Sequence, residues 1–295
     1  MTAIEQTAPI AKPRQKSRAW RKMRANRGSM VGMVIIAFFA ILAIAAPILP
    51  IADPIATSWS ALRKAPSAAH WLGTDDLGRD ILSRMIWGAR ASLMAGVVSV
   101  GIAVAIGVPF GLLSGYFGGV LDQVLMRAAD IVLGLPFLPF VIVVTALLGP
   151  QLQNIVFAVG IMLWPNAARV IRSQVLTLSQ RQFVEAARVT GAGEWRILFV
   201  HVAPSVLPFS ALYGAFAVGW AILTQASISF LGFGDSDAIS WGTMLQDAYA
   251  SQALDRGQYA WFIPAGLCIV LVVLAGFLVS RGYEELLFPK LRDDQ

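Results

Sequence analysis

Few residues in the chain are of types that do chemistry. The tetrapeptide GFGD, Gly232 to Asp235, ends on an aspartate. With a second carboxylate in near contact it would suit hydrolysis through a proton shared between two aspartates. The other aspartate at the edge of an expected membrane span is Asp130, three residues after Arg127. The only histidines are His70 and His201, and the only cysteine is Cys268. One cysteine permits no disulfide within the chain and no cysteine-based metal site. The sequence contains no GxxxxGK(S/T) phosphate loop, no HExxH and no GxSxG, so nucleotide hydrolysis, zinc proteolysis and serine hydrolysis by those routes are absent.

The elements that must position these residues are built for lipid. Of 295 residues 57% are apolar and 14% charged, and the mean hydropathy is +0.68. No Lys, Arg, Asp or Glu interrupts 28–52, 91–121, 131–168, 197–234 or 257–280. A membrane helix needs about 20 apolar residues, and the turn-forming cluster GPQLQN (149–154) divides the third run. Six spans are expected, at 30–50, 91–115, 124–148, 155–172, 205–231 and 259–281. With the N-terminus cytoplasmic, seventeen of the 23 basic residues face inward and six outward, as the positive-inside rule requires. The net charge of +6 is therefore a topology signal with a lipid-headgroup component, and no nucleic-acid partner is expected. The first span is too long an apolar run for a cleavable leader.

This topology decides most of the chemistry. Asp130 falls near the inner end of the third span and Asp235 at the outer end of the fifth, separated by most of a roughly 30 Å bilayer, so they cannot share a proton. His70 and His201 fall on opposite sides, and no metal site is expected. Asp130 carries two readings: a pathway residue, as an ionisable group at membrane depth suggests, or an ion pair with Arg127 at i,i+3. Gly107, Gly111 and Gly115 form a repeated small-xxx-small stripe for close helix packing, within the chain or with another subunit. Pro109, Pro136, Pro139, Pro165, Pro208 and Pro264 fall in or near spans and free carbonyls that a neighbour or a wet cavity must satisfy. No repeat between halves supports an inverted-repeat transporter.

The chain divides into a basic tail (1–29), a first membrane helix (30–52), an outer loop (53–90), a five-helix core (91–285) and a C-terminal segment (286–295). In the outer loop, ILSRMIWGA sorts Ile81, Leu82, Met85, Ile86 and Ala89 onto one helical face, which suits a helix lying on the membrane surface or the outer rim. The core includes a charged inner insert, 173–204, holding EAARVTGAGEWRILFVHVAPS (185–205). Residues 181–190 favour a helix with Glu185 and Arg188 as an i,i+3 pair. Gly191 and Gly193 end it, and a second short amphipathic helix starts near Glu194. The insert reads equally as a helix for a partner's groove or as an inert connector on headgroups.

The segment Glu185, Ala186, Ala187, Gly191 and Pro204 resembles the EAA loop of ABC importer permeases; Ala203 stands where that family usually has Leu. HWLGTDDLGRDILSRMIWGARASL (70–93), GYFGGVLDQVLMRAADI (115–131) and ASISFLGFG with SWGTMLQDA (226–248) resemble the C-type permeases of dipeptide, oligopeptide and nickel importers. The likeness runs from about residue 20 to 292. It implies an all-α membrane protein with the type I importer fold, six transmembrane helices and both termini cytoplasmic, in a bacterial inner membrane. It further implies a homologous B-type permease, two ABC ATPases docking on the EAA loop and an extracytoplasmic binding protein. No cofactor is expected on this chain, ATP and Mg being handled by the ATPases. Peptides are the expected cargo, with nickel or another small solute as the alternative and an ion-coupled secondary transporter further behind.

Overall fold

The computed structural model describes residues 26–235 and 237–287. The basic tail up to residue 25 and the residues from 288 onward lie outside the described residues. Every regular element described is helical, with a lone bridge between Thr74 and Asp80. Five helices are long and apolar enough to cross a membrane, and one bent pair brings the number to six.

Helix α1 (Arg27–Ala45) starts where the Asn26 side chain accepts from the Ser29 amide, a standard N-cap. Asn26 also donates to Glu285 at 2.7 Å, joining the start of α1 to the end of α9 (Tyr259–Leu287). The two helices run antiparallel and touch closely: a Cβ on Gly32 would meet the Ala275 carbonyl at 2.7 Å.

Helix α2 (Ile81–Phe117) is one continuous helix, about 55 Å long at 1.5 Å per residue. It absorbs both the expected second span and the segment expected to lie on the membrane surface. The reason is that the charged face of that segment needs no water: Arg84 is buried and bonded to Asp75 and Asp247. Asp80 N-caps the helix by accepting from the Ser83 amide at 2.7 Å. Gly107, Gly111 and Gly115 all face α5 (Leu152–Ser179). Added Cβ atoms would lie 2.6 Å from the Trp164 carbonyl, 2.5 Å from that of Ala168 and 2.9 Å from that of Arg172. The stripe thus seats two helices of the same chain backbone to backbone. Helix α5 is the hub, with two thirds of its apolar window buried.

The expected third span is broken. Helix α3 (Gly119–Gly134) and α4 (Phe137–Leu148) meet at 86°. Leu135 is extended (φ −80°, ψ 136°), because the residue before a proline is pushed out of the helical region. At about 24 Å and 18 Å neither piece alone crosses a 30 Å layer. After α6 (Gln182–Val189), α7 (Glu194–Phe233) runs unbroken through residue 204, where two helices were expected to meet, and kinks only at Gly232 (φ +87°) near its end. Its hydrogen bonds widen to i→i+5 over Ile197–Val202. That extra residue per turn makes room for the Pro204 ring, which would otherwise strike the carbonyl four residues back. Helix α8 (Trp241–Ala250) opens with a reciprocal Ser240–Thr243 capping box. It is anchored by the fully buried Trp241, whose indole donates to the Met85 carbonyl at 3.0 Å and packs edge-on against Phe39.

Candidate functional site

The inner insert is built around α6. Val184 is its one fully buried residue; it sits among Ile171, Val175, Ile197, Leu198 and Val202. Glu185 and Ala186 are exposed and Ala187 is half-buried, so one apolar anchor leaves the small face free. The helix ends as a Schellman motif: Gly191 has φ +80° and donates to the Arg188 carbonyl, and the Ala192 amide donates to that of Ala187. Gly193, expected to share that role, instead has φ −65° and precedes α7 as its N-cap. Phe183, Ala186, Ala187, Gly191, Arg196 and His201 line a shallow hollow of about 570 Å³ beside the helix.

The ion pairing also differs from the local expectation. Arg188 turns from Glu185 to Glu194, at 3.3 and 3.4 Å, and the Tyr116 hydroxyl donates to the same carboxylate. Gly191 folds the chain back so that the start of α7 faces the end of α6, which outcompetes a weak i,i+3 pair. Glu194, then the Tyr116 hydroxyl, hold the Arg188 guanidinium above its usual pKa. Trp195 is 59% exposed and stacks on Phe199 at 5.9 Å, whereas Leu198 and Val202 are buried. Pro204 is exposed one residue after the buried Ala203.

Asp130 pairs with Arg169 of α5 at 2.6 Å, not with Arg127. One turn along α5, Arg172 grips Asp122 through two bonds of 2.6 Å. The guanidinium fork suits a carboxylate on the facing helix, whereas Arg127 precedes Asp130 on α3 in the less favourable order for an intrahelical pair. Asp235 has a structural job. Its carboxylate accepts from the Leu152 amide at 3.0 Å, capping α5 from another segment, and from the amides of Asp237 and Ala238. Leu152 and Arg169 are 17 positions apart on α5, about 25 Å, so the two aspartates are held far apart along one helix. His70 bonds Asp80 at 2.9 Å, while His201 lies by α6. No group of three or more His, Cys, Asp or Glu suited to a metal ion occurs among the described residues.

One constellation escaped sequence reasoning. Asp75 is fully buried and bonded at 2.6 Å by both Arg79 and Arg84, and these two arginines also reach Asp247 of α8 at 3.2 and 3.0 Å. Asp75 and Arg79 are four positions apart but lie in a turn and not on a helix, so their spacing alone did not announce the pair. The pairing with a residue more than 160 positions away was not legible either.

Set against known proteins, residues 107–293 match the family described as binding-protein-dependent transport system inner membrane component. Residues 15–66 match the N-terminal TM domain of oligopeptide transport permease C. The chain is 36% identical over 275 residues to a dipeptide transport system permease protein of Alkalihalophilus pseudofirmus, covering 93% of this chain and 90% of that one. It is 38% identical over 276 residues to an oligopeptide transport system permease protein of Bacillus subtilis (93% and 89% covered). To a glutathione transport system permease protein of Pectobacterium atrosepticum it is 35% identical over 296 residues (98% and 97%). A chain of the MetNI methionine ABC transporter, solved in inward-facing conformations, superposes with a TM-score of 0.54 at 18% identity, covering 69% of this chain and 97% of that one. That likeness concerns the fold.

Proposed function

The chain belongs to the family of binding-protein-dependent transport system inner membrane components, and from that premise we propose that it carries di- or oligopeptides inward. It is a multi-pass permease subunit of an ABC importer. In the proposed complex a homologous permease supplies the other half of the pathway, an extracytoplasmic binding protein delivers the peptide, and two ABC ATPases bind and hydrolyse ATP with Mg. This chain contributes no ATP site of its own. Both termini and the insert 173–204 lie on the cytoplasmic side, in keeping with the inward bias of basic residues.

The observation that carries the reading is the construction of α6. It is an exposed eight-residue helix fixed by a single buried valine, closed by Gly191 and placed between the ends of α5 and α7. A partner gripping its small face at Ala186 and Ala187 would move the ends of two long helices at once, because Val184 shares one core cluster with residues of both. ATP-driven closure of the ATPases would thus tilt α5 and α7 and turn the pathway from outward- to inward-facing. The cargo assignment draws on relatives that carry the names of dipeptide, oligopeptide and glutathione systems.

The test is to express Glu185→Arg and Gly191→Trp with the ATPases. Both variants should still insert in the membrane, yet lose ATPase copurification and lower peptide uptake by at least about tenfold, since one mismatched charge or clash in an interface costs several kcal/mol. Retention of both copurification and uptake would sink the docking assignment. Reconstituted vesicles offered labelled dipeptide, longer peptide or nickel decide the cargo.

A further inference from the structure

Helices α3 and α5 enclose an open cleft of about 910 Å³ that the docking function does not use. Its walls carry two carboxylates and three guanidiniums. Asp122 is taken by Arg172 and Asp130 by Arg169. Arg127 is exposed, lines the same cleft and has no ion-pair partner among the described residues. One positive charge is thus left over. Val124 and Ile131, three residues before and four after Arg127, are 59% and 70% exposed on the same face, so the surplus cation stands between apolar patches.

The depth of this cation is what makes it informative. Arg127 lies eight positions from the start of α3 and Arg169 ten from the end of α5, about 12 and 15 Å along each helix. Both distances run from the end where α6 sits. Ionisable groups inside the span region face a bundle interior or a water-filled cavity and not acyl chains. The 86° turn carries α4 out of the line of α3, and Val124, Arg127 and Ile131 stay exposed on this face.

Building on the peptide-importer reading, we propose that the α3–α5 cleft is the inner vestibule of the pathway, where Arg127 receives the C-terminal carboxylate of the departing peptide. The two neutralised pairs hold the wall without competing for it, and Val124 and Ile131 offer apolar surface to side chains of any sequence. A lone exposed guanidinium binds a carboxylate weakly in water, which suits a waypoint that must release its cargo.

The experiment uses the complete importer in proteoliposomes. Cys268→Ser removes the native thiol, and Gln123→Cys, or Val124→Cys should the first fail to assemble, places a thiol on the cleft wall. Its modification by a sulfonate-bearing and an ammonium-bearing methanethiolsulfonate is followed by mass spectrometry of this chain. Both reagents should react, the sulfonate gaining on the ammonium relative to their rates with a free thiol in solution. Arg127→Gln should lower the sulfonate-to-ammonium rate ratio on the order of tenfold, while Arg127→Lys keeps most of it. A peptide with a free C-terminus should protect the thiol better than its amide. A thiol inert to both reagents, covered by lipid or by the other permease, overturns the vestibule. So does a ratio indifferent to Arg127, or a sulfonate preference that emerges only when anionic lipids are withdrawn, which would give Arg127 to headgroups. Peptide uptake by the wild-type vesicles separates the two readings. Its absence sinks the importer premise, whereas uptake alongside an inert thiol sinks the vestibule alone.

Discussion

The outer and inner ends of the molecule solve opposite problems with the same kinds of residue. At the outer end Asp75, Arg79, Arg84 and Asp247 form a packed ionic knot in which Asp75 and Arg84 are buried. At the inner end Arg188, Glu194 and Tyr116 form a comparable cluster that is half open to solvent. Burial separates their consequences. A buried pair that loses one partner leaves an uncompensated charge, whereas an exposed pair falls back on water. The outer end is accordingly a rigid clasp between the 53–80 loop and α8. The inner end can change partners at little cost.

The sharpest way to break this contrast is Asp75→Asn. Leaving Arg79 and Arg84 with the single carboxylate of Asp247 should cost about 3–5 kcal/mol, read as a large fall in the melting temperature of the detergent-solubilised chain; a shift within error would mean that the knot is not a clasp. Next in size is Gly111→Val, in the seam that joins the two ends. An added Cβ meets the Ala168 carbonyl at 2.5 Å and Ile171 at 2.7 Å, so overpacking should cost about 1–3 kcal/mol. The measurable sign is a lower yield of folded chain with α2 and α5 more readily cleaved by protease. The smallest effect belongs to Arg188→Gln. It should leave the melting temperature unchanged in the isolated chain and change only the salt dependence of ATPase copurification. A clear loss of stability there would move the inner cluster into the same class as the outer one.

Much of this was legible residue by residue. The uncharged runs pointed to the five helices long and apolar enough to cross a membrane, because a charge inside lipid is costly; the sixth expected span is the bent pair α3 and α4. Gly191 announced a left-handed helix end, and the glycine stripe announced a backbone-close seam. Pro136 was visible too, but counted as a kink within one span, since hydropathy alone does not report a right-angle turn. The fusion of the outer surface helix with α2 was hidden for a related reason. Arg79 and Arg84 look solvated in sequence, and only the distant Asp247 together with the buried Asp75 makes a continuous helix affordable there.

What the sequence by itself determined is therefore local: which stretches enter lipid, where helices begin and stop, which face is small, and which insert is charged. Hydropathy, capping and glycine conformation act within a few residues, so no fold is needed to read them. The tertiary structure alone decided partners. It gave Asp130 to Arg169 in place of Arg127, Glu194 to Arg188 in place of Glu185, the glycine stripe to α5, and Asp235 to the start of α5 as a cap. Each of those choices depends on which helices lie side by side, and the free energy of bringing distant segments together is a property of the closed bundle and of no single stretch within it.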